Sequence, residues 1–232
     1  MVKTLIPSVK RSPLIVEIVG PAGVGKTTFL RALSRQHENL RPIFGFQHIK
    51  HIPDFLRNAV LLLPVFLCRC NHRRRYTRKE MRWMIRLQAS RQILQRKTLS
   101  RRPIIILDQG PIYTLTRLSD YRAESGKCQC FVKWWNRMLR EWATTMDMVI
   151  WLDAPDEVLV ERVYARSKWH AAKEQSNEGA KNLLAHYRIL YEQTMAKLTT
   201  MGHPKVLCYD TSRDSLKQIV EQTSAAFNLS KH

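Results

Sequence analysis

An α/β fold, three layers α/β/α around a mainly parallel sheet with a basic helical insertion, is what this sequence predicts. Three observations lead there. Short β-branched runs recur along the chain and alternate with longer stretches whose apolar residues repeat at helical spacing, the pattern of strands joined by crossover helices. Glycines and a proline break the pattern directly after the first such run, at Gly20-Pro21. The 232 residues, 44% of them apolar, suffice for one sizeable core but not for two large domains.

Residues 1 to 12 form a basic, weakly ordered tail, and residues 13 to 232 form a single domain. Leu14 to Val19 is a run suited to a buried parallel strand, and Thr27 to Gln36 resumes at helical spacing after the glycine-rich turn. Pro42 to Lys50 is a second strand region. Ile52 to Leu67 opens with Pro53 and Asp54 as a helix. Thr77 to Lys97 is another, with Trp83, Leu87 and Leu94 on one face and Arg78, Arg82 and Arg86 on a different one. Ile104 to Leu107 is too apolar and β-branched for a loop and ends in Asp108-Gln109-Gly110-Pro111. Residues 129 to 145 are helical, and Met148 to Leu152 is a strand ending at Asp153. Pro155, Asp156 and Glu157 suit the first turn of a helix that could extend to the basic stretch Arg166 to Lys173. Helix Asn182 to Leu198, strand Lys205 to Tyr209 and helix Ser215 to Phe227 complete the series. A helical insertion over about 51–102 and a lid-like region over about 162–180 are the two departures from regular alternation.

Charge sets the expected partners. There are 39 Lys and Arg against 19 Asp and Glu, and residues 69 to 102 alone hold thirteen cations against the single acid Glu80. Such concentration favours an extended anionic partner for 69–102, either nucleic acid or an anionic membrane surface. The cysteines, in the pairs Cys68-Arg69-Cys70 and Cys128-Gln129-Cys130 with Cys208 alone, lack the two-to-four-residue spacing of structural zinc sites. They are therefore expected to be reduced, partly buried thiols, which fits a cytoplasmic protein. No secretory segment and no run of about 20 apolar residues is present. The longest apolar run, Ala59 to Cys68, suits a buried helix or a surface-lying segment.

Gly20-Pro21-Ala22-Gly23-Val24-Gly25-Lys26-Thr27 matches the Walker A pattern, or P-loop, with a strand before it and a helix after. Its glycines let successive backbone N–H groups turn toward phosphate oxygens, and the helix N-terminus adds a favourable dipole. Gly20, Pro21, Ala22, Gly23, Val24, Gly25, Lys26, Thr27 and Thr28 are thus the expected nucleotide contacts, with Lys26 on the β and γ phosphates and the Thr27 hydroxyl on Mg²⁺. The metal also needs a carboxylate at a strand end, for which Asp108 and Asp153 both qualify. Asp108 is favoured because the turn after it lets the carboxylate face the crevice, whereas Asp153 precedes a helix that it could cap. The predicted site accordingly has catalytic Lys26 and Asp108, metal-binding Thr27 and Asp108, ATP and Mg²⁺.

The P-loop, the strand ending Asp108-Gln109-Gly110, and Leu152-Asp153-Ala154-Pro155 leading to Glu161-Arg162 and Arg166 together resemble the P-loop nucleoside and nucleotide monophosphate kinases, especially the thymidylate and deoxynucleoside kinase branch. The resemblance implies the P-loop NTPase fold and a lid whose arginines, Arg162 and Arg166 by position, close over the transferring phosphoryl group. The four-residue spacing would also put both on one helical face, extended by His170 and Lys173 if the helix continues. Two departures stand out: Val19 precedes Gly20 where an acid is common, and Asp108 is followed by Gln109 rather than arginine. The acceptor pocket is expected around Phe44, Phe46, Gln47, His48 and Arg57, with Trp134 and Trp135 able either to line it or to pack in the core. An ATP-dependent phosphotransferase acting on a nucleoside, nucleotide or other small metabolite is the leading functional expectation. The alternatives are a nucleotide-dependent nucleic-acid-binding protein and an ATPase or GTPase switch. No helix-turn-helix, metal finger or helicase motif set accompanies the charge, and no guanine-reading Asn-Lys-x-Asp segment is present.

Overall fold

A computed structural model describes residues 13–37, 40–44, 52–68, 76–97, 104–124, 129–167 and 169–229. In chain order the elements are β1 (Leu14–Val19), α1 (Lys26–Gln36), β2 (Leu40–Phe44), α2 (Ile52–Leu67), α3 (Arg78–Lys97), β3 (Ile104–Asp108), α4 (Pro111–Glu124), α5 (Gln129–Ala143), β4 (Met148–Asp153), α6 (Asp156–Ala165), α7 (Asn177–Thr200), β5 (Lys205–Asp210) and α8 (Leu216–Leu229), with a short 3₁₀ turn at Ala171–Glu174. Among the described residues the strands form one five-stranded sheet in the order β2-β3-β1-β4-β5, and all pairings are parallel. The predicted α/β architecture with a helical insertion, α2 and α3, is therefore present.

Parallel strands must be covered on both faces, and the two-residue pleat distributes the core accordingly. Leu14, Val16 and Ile18 of β1, with Ile104, Ile106, Met148, Ile150 and Leu152, pack beneath α1, α6 and α8. Ile15 and Val19, with Ile105, Leu107 and Val149, pack on the opposite face against residues of α3, α4, α5 and α7. Glu17 shares the pleat of Ile15 and Val19, so the strand carries a carboxylate into this second layer. The order of strands reverses at β1, whose C-terminal end lies between β3 and β4. That is where open α/β sheets form their ligand crevice, and the P-loop leaves β1 there.

Four local expectations change. Helix α4 was not legible in the sequence, although Pro111 occupies a favourable first helical position. Helix α6 stops at Ala165, and Arg166 takes an extended backbone at its C-cap. The stripe Arg162, Arg166, His170, Lys173 is consequently not one continuous helical face. Helix α7 starts earlier than the apolar pattern suggested because the Ser176 hydroxyl accepts a 3.1 Å hydrogen bond from the Gly179 N–H and caps it. Finally, Cys68 and Cys130 are disulfide-bonded across 62 residues rather than reduced, because the end of α2 meets the start of α5, a convergence that Cys-x-Cys spacing does not encode. Cys208 is exposed and free. Among the described residues no helix is long and apolar enough to cross a membrane.

Candidate active site

The loop from Gly20 to Gly25 curls because its residues reach backbone conformations that ordinary side chains avoid. Gly20 sits at φ 146°, and a Cβ there would lie 2.1 Å from the Leu152 carbonyl oxygen of β4, so only glycine lets the loop leave the sheet at this point. Lys26 follows at the start of α1. Its ammonium donates to the carbonyls of Gly20 and Pro21, both at 2.7 Å, which folds the side chain back over the loop. Desolvation lowers its pKa to about 8. Nearby Asp108 opposes that shift and Arg166 adds to it.

Asp108 ends β3, partly buried and beside the Lys26 charge. After it, Gln109 adopts φ 52°, an uncommon left-handed conformation for this residue type, and the chain turns straight into α4. The turn is pinned from below by Glu17. Its carboxylate accepts 2.8 Å bonds from the N–H groups of Ile112 and Tyr113 at the N-terminus of α4. A Cβ on Gly110 would come within 2.9 Å of the Glu17 carboxyl carbon, which leaves no room for a larger residue. Burial raises the Glu17 pKa to about 8, although the N–H groups of Tyr113, Ile112 and Gly110 pull it down. Glu17 is thus a buried acid that fixes the direction in which Asp108 and α4 leave the sheet. It was missed in the sequence because a single acid within a β-branched run gives no sign of its partner.

Above the loop lies a cavity of about 720 Å³. It brings together Gly20, Pro21, Ala22, Gly23, Gly25, Lys26, Thr27 and Thr28 with Asp108, Arg162 and Arg166, so that most of the predicted site faces one space. Val24 lies apart, fully buried in the core beneath α1. A recess of about 470 Å³ along α1 shares Lys26, Thr27, Arg31 and Asp108 with it. Asp153 does not line either space. One of its carboxylate oxygens is buried with no hydrogen-bond partner, and burial raises its pKa. Arg162 and Arg166 differ in their anchoring. Arg162 donates to the hydroxyl and carbonyl of Thr211, at 2.9 and 3.0 Å, which ties α6 to the end of β5. Arg166 has a buried Nε with no partner, and its carbonyl accepts from Lys173.

The cavity also holds residues that sequence reading did not single out. Arg31, Tyr113, Arg117 and Trp169 line it, as do Tyr187 and Tyr191 of α7. The Arg117 guanidinium lies 4.0 Å from the centre of the Tyr187 ring, a cation–π contact between α4 and α7. The cavity wall thus carries Lys26, Arg31, Arg117, Arg162 and Arg166 against one carboxylate, Asp108. His170, also on the wall, has a lowered pKa from burial and from the charges of Arg166, Arg117 and Lys26.

Some predicted acceptor residues lie elsewhere. Phe46, Gln47 and His48 are outside the described residues, and Phe44 ends β2. Arg57 is exposed on α2, away from the cavity. Trp134 and Trp135 are buried in the core, where their indole N–H groups donate to Gln88 and to the Leu115 carbonyl. Of the basic segment, Arg78, Arg82 and Arg86 are exposed on α3, while Arg91 pairs with Glu141 at 3.0 Å.

The donor set suits a magnesium ion carried by phosphates. Mg²⁺ typically takes one or two protein oxygens together with substrate phosphates and water. The Thr27 hydroxyl and Asp108 carboxylate line the same cavity, and no cluster of three metal-ligating side chains exists among the described residues to form an all-protein cage.

Comparison with known proteins places this architecture. No protein-family model and no curated protein matches the sequence. In three dimensions the chain is similar to deoxyadenosine kinase from M. mycoides with bound dATP, at 18% identity and a TM-score of 0.51, covering 93% of this chain and 99% of that one. The same kinase with dCMP and a flexible dCDP gives 16% identity, a TM-score of 0.53 and coverage of 93% and 100%. YorR from Bacillus subtilis, in complex with phosphorylated GDP, gives 13% identity, a TM-score of 0.54 and coverage of 93% and 96%. The chain shares the fold of these proteins over nearly its whole length.

Proposed function

We propose that this chain is an ATP-dependent phosphotransferase whose acceptor is a nucleoside or nucleotide. The observation that carries the proposal is the convergence of the P-loop, Asp108 and four arginines on one cavity. Likeness in fold to deoxyadenosine kinase favours a nucleoside or nucleotide over other small metabolites as the acceptor. We place the activity in the cytoplasm because ATP is supplied there; the Cys68–Cys130 disulfide removes the thiol argument for that compartment.

On this reading, the loop N–H groups and the N-terminus of α1 cradle the ATP phosphates. Lys26 exchanges its bonds to the Gly20 and Pro21 carbonyls for phosphate oxygens. The acceptor oxygen attacks the γ-phosphorus in line, the bond to the β–γ bridging oxygen breaks, and ADP leaves. Thr27 and Asp108 would hold Mg²⁺, which offsets charge on the β and γ phosphates. Arg166, with an unpaired Nε, and Arg117 then stabilise the charge spread over the transferring group and its acceptor. A phosphate acceptor needs little help with a proton, whereas a hydroxyl acceptor would draw on the Asp108 carboxylate. Five cations exceed what an ATP triphosphate already neutralised in part by Mg²⁺ requires, so a mononucleotide is favoured over an uncharged nucleoside. The exposed Arg78, Arg82 and Arg86 further favour a separate anionic partner, nucleic acid or membrane.

A transfer screen with γ-labelled ATP over nucleosides, mononucleotides, sugars and oligonucleotides tests the proposal. Label should appear in a mononucleotide or nucleoside product. Release of inorganic phosphate alone, whatever acceptor is offered, would favour a nucleotide switch instead.

A further inference from the structure

Helix α2 is turned inside out relative to a water-facing helix. Its buried positions are Asp54, Asn58 and Leu62, and the Asn58 side-chain amide donates to the Asp54 carbonyl at 2.7 Å. Its outward positions are apolar: Ile52, Leu56, Val60, Leu63 and Leu67 are between 46% and 73% exposed. Their spacings of four, four, three and four residues put them in one stripe along the helix, about 22 Å long at 1.5 Å per residue. Water-facing helices place such residues inward, and a contiguous apolar row left outside marks an interaction surface.

The chemistry around the stripe identifies what covers it. A groove of about 660 Å³ runs between α2 and α3, floored by apolar side chains that include Val60, Leu63 and Ile85 and edged by Arg78 and Arg82. Arg57 and Arg86 are also exposed on this hairpin. The acids of the two helices, Asp54 and Glu80, are both buried, so the outer face of the hairpin is apolar and cationic with no exposed carboxylate. A second copy of the chain would bring the same unneutralised cations toward their counterparts across a two-fold axis. A nucleic acid would satisfy the arginines and leave the leucines in water.

We propose that the outer face of α2, with the arginines of α3, docks on an anionic lipid bilayer. The leucine row enters the boundary between headgroups and acyl chains while Arg57, Arg78 and Arg82 meet lipid phosphates, which is how amphipathic helices lie in an interface. Sixteen residues interrupted by Pro64 fit a helix lying on the membrane plane. The surface is separate from the nucleotide cavity, so the inference does not depend on the phosphotransferase reading.

Cosedimentation of the full chain with phosphatidylcholine vesicles, with and without phosphatidylserine, over a salt series tests it. Binding should require phosphatidylserine. Leu56→Ser with Val60→Ser, both already exposed, should weaken partitioning at every salt concentration, by about tenfold or more. Arg78→Glu with Arg82→Glu should weaken it by roughly fivefold for each charge lost, chiefly at low salt. Absence of vesicle binding by the wild-type chain overturns the proposal. So does a concentration-dependent dimer that Leu56→Ser disperses, or oligonucleotide binding that alone explains retention and is indifferent to Leu56→Ser.

Discussion

At the residue scale, Lys26 has two environments to satisfy. Without ligand its ammonium is held by two loop carbonyls in a desolvated position that lowers its pKa to about 8, and phosphate binding requires it protonated. Raising the pH through that value removes the charge, so kcat/KM for ATP should fall above pH about 8, read from a pH–rate profile of the free enzyme. A profile that stays flat to pH 10 would mean that the lysine is not desolvated in this way. Asp108 and Asp153 offer a second residue-level contrast. Only Asp108 lines the cavity, so Asp108→Asn should reduce Mg²⁺-dependent turnover by about 100-fold or more while Asp153→Asn has a much smaller effect. The opposite ranking in steady-state kinetics would move the metal role to Asp153.

At the scale of elements, helices α4 and α6 decide where the site's charges point. Helix α6 ends between its two arginines, and the resulting difference in anchoring separates their roles. Arg162 is held by Thr211, so Arg162→Ala should cost about 1–3 kcal/mol of stability in denaturant titration, as loss of hydrogen bonds from a charged group does. Arg166→Ala should leave stability nearly unchanged and lower kcat more than it raises KM. Similar effects of both variants on both measurements would contradict this division. Helix α4 depends on Glu17, whose pKa is raised from 4.5 to about 8. A raised pKa means that the folded state keeps a proton the unfolded chain releases. The stability from this group is complete below pH 4.5 and declines as the pH rises to about 8. Glu17→Gln, measured by denaturation across that window, should flatten the decline. An unchanged slope would assign it to other groups.

Over the whole molecule, the parts legible in the sequence were those specified by local chemistry. The P-loop, the strand ending in Asp108 and the strand–helix alternation follow from glycine, proline and β-branched residues at fixed spacings. What escaped was set by distant chain segments meeting. Helix α4 lacks a strong apolar stripe, so Arg117 went unnoticed until α7 brought Tyr187 beneath it. Glu17 acquires meaning only when β1 runs beside β3 and meets the start of α4. Cys68 and Cys130 join only because α2 and α5 converge, and the outward leucines of α2 are identifiable only once its buried side is known to be polar. Transfer of the γ-phosphoryl group of ATP onto a nucleotide or nucleoside is the proposed activity of the P-loop. Its most direct test is chromatography of labelled products from γ-labelled ATP, a mononucleotide and nucleoside mixture and Mg²⁺, with wild type and Lys26→Ala run side by side. Labelled nucleotide formed by the wild type and reduced by at least about 100-fold in Lys26→Ala, with the fold unchanged by circular dichroism, is the predicted result. Equal label transfer by both proteins, or none into any nucleotide by the wild type, would contradict it.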